Sequence, residues 1–192
     1  MGRNETKSRR GELLDIAARL FAARGFANVT VDDLGAAAGV SGPALYHHFE
    51  GKEALLGELL VGVSQRLLEG GRALADPLTP DTLAALVRFH CRFAVRESEL
   101  ITIHFRDLMH ATASDQRTVR RLQGRYVALW VDALLAQHPD LERRTATAAV
   151  HAAFGLMNST PYSAALPADR MEGLLARMVL ASLDAAVDEA PD

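Results

Sequence analysis

Residues 39–56 read GVSGPALYHHFEGKEALL, from Gly39 to Leu56. A Gly-Pro pair stands beside a Tyr-His-His run and an aromatic. Three readings compete: a metal site, a loop of no special role, or a short helix laid against nucleic acid. Gly39 suits the positive-φ end of a helix. Val40 suits the gap between two helices, and the Ser41 hydroxyl suits the cap of the next. Pro43 then falls in a first turn, where its missing N–H costs nothing. The pair therefore starts a helix, running from about Gly42 to Phe49. Leu45 and Phe49, four apart, give it an inward side and leave Ala44, Tyr46, His47 and His48 near the outside. Two short helices joined by such a turn form a helix-turn-helix.

The outer side has a use. Tyr hydroxyl and His N–H groups donate to phosphate oxygens, and a small Ala approaches a thymine methyl. Lys52 opens the following helix at the wrong end of the helix dipole, which a DNA phosphate would offset; the bland alternative is a solvated lysine. The metal reading is weaker. His47 and His48 are adjacent, so they point about 100° apart on a helix, unlike an i, i+4 ligand pair.

The pattern extends both ways. Residues 9–25 place Leu13, Ile16, Ala17, Leu20 and Phe21 at helical spacing, ended by Gly25. Thr30 is an N-cap, with Asp32 and Asp33 in the first turn of a second helix. From Lys52, Leu55, Leu56, Leu59, Leu60, Val63, Leu67 and Leu68 share one face. Further helices are predicted over 80–97, over ELITIHFRDLMH (against the β-branched Ile-Thr-Ile), and over 115–137, 140–159 and 168–188. The fold class is all-α, about nine helices. A helix-turn-helix head (1–51) precedes a larger helical body (52–192).

The chain has 192 residues, formal net charge -3 and one cysteine, Cys91. Residues 1–52 carry seven Lys/Arg against six Asp/Glu, and 53–192 carry fourteen against eighteen, so the basic bias is local to Arg3, Lys7, Arg9 and Arg10. A single cysteine excludes a disulfide framework within the monomer. No apolar run approaches the ~20 residues of a membrane span. A cytoplasmic protein with no cofactor is expected.

TVDDLGAAAGVSGPALYHHFEGKEALL resembles the N-terminal signature of the TetR (tetracycline-repressor-like) family of bacterial transcriptional regulators. The matching residues are Thr30, Val31, Leu34, Ala38, Gly39, Val40, Ser41, Leu45, Tyr46, His48, Phe49, Lys52 and Glu53. The departures are Gly35 for the usual Ala, Gly42 for a longer, often basic residue, and Gly51 for a Ser-type cap. The resemblance implies a repressor that binds a palindromic double-stranded operator as a homodimer and is released by a small-molecule effector. Thr30, Ser41, Gly42, Pro43, Ala44, Tyr46, His47 and Lys52 are the expected DNA contacts. The last two helices would form the dimer interface through Ala149, Ala153, Leu174, Met178 and Ser182; plain intramolecular core is the alternative for them. Phe93, His104, Arg106, Met109, Tyr126, Trp130, Phe154, Met157 and Asn158 are the candidate effector contacts, with Tyr126 and Trp130 favoured for their polar tips. An apolar or acyl-type effector is expected, a CoA thioester among them. A ligand-independent activator or architectural protein of the same fold is the alternative function. An enzyme is disfavoured, since G-x-S-x-G, H-E-x-x-H and a phosphate-binding glycine loop are all missing.

Overall fold

The computed structural model describes residues 8–41, 45–163 and 165–188. They form α1 (Arg9–Arg24), α2 (Val31–Ala38), α3 (Lys52–Ala75), α4 (Thr82–Arg96), α5 (Ser98–Asp107), α6 (Ala113–Gln137), α7 (Arg143–Met157), α8 (Thr160–Ser163) and α9 (Ala168–Asp188). Short 3-10 turns stand at Phe26–Asn28 and Leu108–His110. Among the described residues there is no strand. No helix among them is long and apolar enough to cross a membrane.

By contact the chain divides into two units, Met1–Val63 with Thr102–Val119, and Ser64–Ile101 with Arg120–Asp192. Residues 102–119 thus join the first unit, whereas the sequence expectation put everything after Gly51 into the body. Helices α3, α5 and α6 each give residues to both units.

In the first unit Leu13, Ala17 and Phe21 of α1 bury against one core with Phe26, Val29, Leu34, Leu45, Phe49 and Leu55. The predicted i, i+4 spacing is what brings the three α1 residues onto one face. In the second unit α9 packs on α4 and α7. Its buried side is Met171, Leu175, Val179 and Leu183, each four residues from the last.

Helix α5 forms despite Ile101-Thr102-Ile103. Ile101 and Ile103 are 4% and 0% exposed, and such burial outweighs the few tenths of a kcal/mol that β-branching costs a helix. The predicted helix from Gly42 to Phe49 lies partly outside the described residues. Its described end is Leu45 followed by a turn over 46–48, with the Leu45 carbonyl accepting from the N–H groups of His48 (2.9 Å) and Phe49 (3.0 Å).

Candidate functional site

The candidate site starts from the turn after α2. Gly39 sits at φ 67°, ψ 30°, the left-handed region that L side chains avoid. That conformation lets the Val40 N–H reach back to the Gly35 carbonyl at 2.9 Å and close the helix. Ser41 is exposed. Gly42, Pro43 and Ala44, expected against the bases, lie outside the described residues. Beyond them Leu45 and Phe49 are buried, while Tyr46 is 57% exposed and His47 is exposed beside it.

Two adjacent arginines of α1 hold this segment. The Arg9 guanidinium donates to the Ala38 carbonyl at 2.6 Å, at the C-terminus of α2. Arg10 donates to the His48 carbonyl, at the far end of the Tyr-His run. Its Nε also donates to the Glu58 carboxylate on α3 at 2.7 Å, with a second bond from Nη2. Its guanidinium lies 4.3 Å from the Phe49 ring centroid. Carbonyls at a helix end carry partial negative charge, so a guanidinium is their natural partner. The sequence reading gave Arg9 and Arg10 to an electrostatic footprint; the fold uses them as fasteners.

Lys52 is corrected in the same way. Its ammonium donates to the Val29 carbonyl at 2.7 Å and the Phe26 carbonyl at 2.9 Å. It also lies 4.2 Å from the Phe26 ring centroid. The charge expected to await a phosphate is thus held by the turn between α1 and α2. Thr30 caps α2 as expected, and the cap occupies its hydroxyl. That oxygen accepts from the Asp33 N–H at 3.1 Å and donates to the Asp33 carboxylate at 2.6 Å. The Thr30 N–H donates to the same carboxylate at 2.8 Å, completing a capping box. These bonds hold the Asp33 carboxyl below the usual range.

The nine candidate effector contacts separate into two groups. His104, Arg106 and Met109 fall in the first unit; Phe93, Tyr126, Trp130, Phe154, Met157 and Asn158 fall in the second. Met109 is 74% exposed, which gives it no enclosing wall. Arg106 donates to the Phe21 carbonyl and to both oxygens of the buried Asp107 carboxylate, so it serves the end of α1. His104 is half-buried, and desolvation lowers its pKa.

The second group assembles around a residue not among the candidate effector contacts, His90. This α4 histidine is 3% exposed among four rings, Phe93, Tyr126, Trp130 and Phe154. Its Nε2 lies 3.1 Å from the Asn158 amide oxygen, which assigns the proton to Nε2. Nδ1 is then the acceptor, with the Tyr126 hydroxyl at 3.4 Å. Burial drives the His90 pKa down to about 4, against a small upward pull from Asn158, so the ring is neutral near pH 7. Burial raises the Tyr126 phenol, which stays protonated; the adjacent Trp130 indole N–H opposes this weakly. That N–H nonetheless makes no bond of hydrogen-bonding geometry, and Trp130 is 0% exposed. Tyr126 can lie close to α3 because residue 71 is glycine, where a Cβ would meet its ring at 2.6 Å. The one clue in the sequence was a histidine set within the apolar stripe Leu83, Leu86, Val87, Phe93, Ala94.

On the expected dimer faces the outcome is mixed. Met178 is 45% exposed and Ser182 is exposed; Leu174 and Ala149 are half-buried. Ala153 is corrected, because at 0% exposure its own core leaves it no surface to offer a partner. Among the described residues no group of three or more His, Cys, Asp or Glu stands together as a metal site.

Residues 13–59 match the family model described as bacterial regulatory proteins, tetR family. The HTH-type transcriptional repressor KstR2 of Rhodococcus jostii (strain RHA1) is 37% identical over 131 residues, 67% of this chain and 64% of that protein. The chain therefore spans less than two thirds of that relative's length. Its fold superposes on a TetR-family transcriptional regulator from Bordetella parapertussis 12822 with TM-score 0.80, at 25% identity over 95% of this chain and 98% of that one. The ketosteroid transcriptional regulator KstR2 of Mycobacterium tuberculosis superposes with TM-score 0.76, at 25% identity over 94% and 96%.

Proposed function

We propose that this chain, whose residues 13–59 match the tetR family of bacterial regulatory proteins, is a transcriptional repressor that binds a palindromic operator as a homodimer and releases it when a small, apolar or acyl-type effector fills the second unit. One observation carries the DNA reading. Tyr46 and His47 are exposed together, on a segment whose Leu45 and Phe49 are buried. Two hydrogen-bonding groups on a fixed stub beside a helix-turn-helix suit phosphate and groove contacts. Ser41, Gly42, Pro43 and Ala44 complete the proposed contact surface. Thr30 and Lys52 support it from behind.

Dimerisation is proposed through the outer sides of α7 and α9. Ala149, Leu174, Met178 and Ser182 would meet their counterparts about a twofold axis, as a palindromic site requires. Effector response follows as linkage. An effector that prefers the form unable to span both half-sites lowers DNA affinity by the same factor.

Selection of duplexes from a random pool, followed by titration against a scrambled duplex at several salt concentrations, tests the reading. A recovered palindrome bound at least about a thousandfold more tightly than the scramble supports it. Equal binding of both duplexes, with affinity set by salt alone, would favour a nonspecific architectural role.

A further inference from the structure

We infer that the Trp130 indole N–H is the recognition point for an uncharged effector carrying a carbonyl oxygen, a ketone or a thioester rather than a carboxylate. This deepens the effector reading above and rests on it. A buried donor without an acceptor is destabilising, and native interiors seldom keep one without a reason. Trp130 is such a donor: fully enclosed, with its N–H outside hydrogen-bonding geometry to any neighbour. Tyr126 donates to His90 Nδ1 and the Asn158 oxygen accepts from its Nε2. The Tyr126 oxygen lies beside the indole but does not meet its N–H in hydrogen-bonding geometry, which leaves that donor in surplus.

The surroundings define what the surplus donor accepts. Phe154 packs 4.9 Å from the indole by ring centroids, and Tyr126 and His90 each present a ring at 6.0 Å. These are apolar or neutral walls. Tyr126 keeps its proton, and no cation stands among these rings to receive an anion. An ionised carboxylate entering here would lose its hydration without a counter-charge. A carbonyl oxygen loses little and gains the indole bond. Chemically, the site selects an acceptor without charge, attached to apolar carbon.

The chain contains one tryptophan. Its fluorescence therefore reports on this site alone, in the wild-type protein and without DNA. Titration with 2-nonanone is expected to red-shift the emission as the indole gains a hydrogen bond, and octanoate is expected to leave it unchanged. By calorimetry, Trp130→Phe should bind 2-nonanone about tenfold more weakly, the value of one hydrogen bond. The same variant should stay folded with a modestly lower melting temperature, because the smaller ring leaves a cavity at a fully buried site while it removes an unpaired donor. A shift with octanoate equal to that with the ketone would overturn the assignment. So would the absence of any shift with the ketone, or unchanged ketone affinity in Trp130→Phe. A protein that binds the ketone but selects no operator would refute only the repressor reading. One that selects an operator but ignores the ketone would refute only this assignment.

Discussion

Arg10 of α1 and Glu58 of α3, 48 residues apart, are joined by paired hydrogen bonds, and the same guanidinium holds the His48 carbonyl. One side chain thus ties the exposed Tyr46-His47 step to two helices.

That arrangement sets the sign of a simple substitution. Glu58→Gln removes a negative charge near the proposed DNA face, which by electrostatics alone strengthens binding. If the ion pair orients the segment, specific affinity falls instead. The pair is partly exposed, with side chains 46% and 36% accessible, so the loss is modest: on the order of 1 kcal/mol, about fivefold. Operator and scrambled duplexes, measured side by side, should move in opposite directions. A gain on both would show that the pair does not position the head.

Lys52→Met keeps the stem but removes the bonds to the Phe26 and Val29 carbonyls. Charge-assisted bonds at a half-buried site make the expected loss about 2 kcal/mol of stability. Chemical denaturation measures it. The salt dependence of DNA binding should keep its slope, whereas a phosphate contact would reduce it by about one unit. A reduced slope with unchanged stability would return Lys52 to the DNA.

His90 makes acid destabilising in a defined window. Its folded pKa of about 4 lies below the ordinary 6.5. The unfolded chain therefore takes up a proton first as pH falls. The stability that neutral His90 provides is complete above about pH 6.5. It declines down to about pH 4, by about 3 kcal/mol at most. Half-buried His104 shifts in the same direction and adds to the slope. Urea unfolding followed between about pH 7 and about pH 4 should show the decline, and His90→Phe should flatten part of it. An unchanged slope in that variant would mean that His90 titrates alike in the folded and unfolded states.

Asp33→Ala tests the capping box. Removing the carboxylate frees the Thr30 hydroxyl and N–H at once. The expected cost is about 1 kcal/mol, visible as a lower denaturation midpoint. Thr30→Ala should cost a similar amount, and the double variant should cost less than the sum of the two, because they share bonds. Full additivity would dissolve the box.

Local chemistry was legible in the sequence. Gly39, Val40 and Ser41 disclosed the turn, Thr30 and Asp33 the cap, and Leu45 and Phe49 the inward side of the head. Each of those signals spans at most five residues. The fasteners were not legible, because they join distant segments: Arg10 to Glu58, Arg9 to Ala38 over 29 residues, and His90 to Asn158 over 68. Spacing identifies a helix face but not what meets it. Hence Arg9, Arg10 and Lys52 read as free charge, and Ala153 read as surface. Residues 102–119 were assigned to the body because no break in composition marks their return to the first unit.

The outward Tyr46 side chain is the centre of the account, and its removal is the most direct test. Fluorescence anisotropy of Tyr46→Ala on a selected palindromic duplex, with light scattering for assembly, gives both readouts at once. At least about a tenfold loss of specific affinity is expected, with the dimer and the melting temperature unchanged. Full operator affinity in the variant, or dimer and DNA binding lost together, would contradict it.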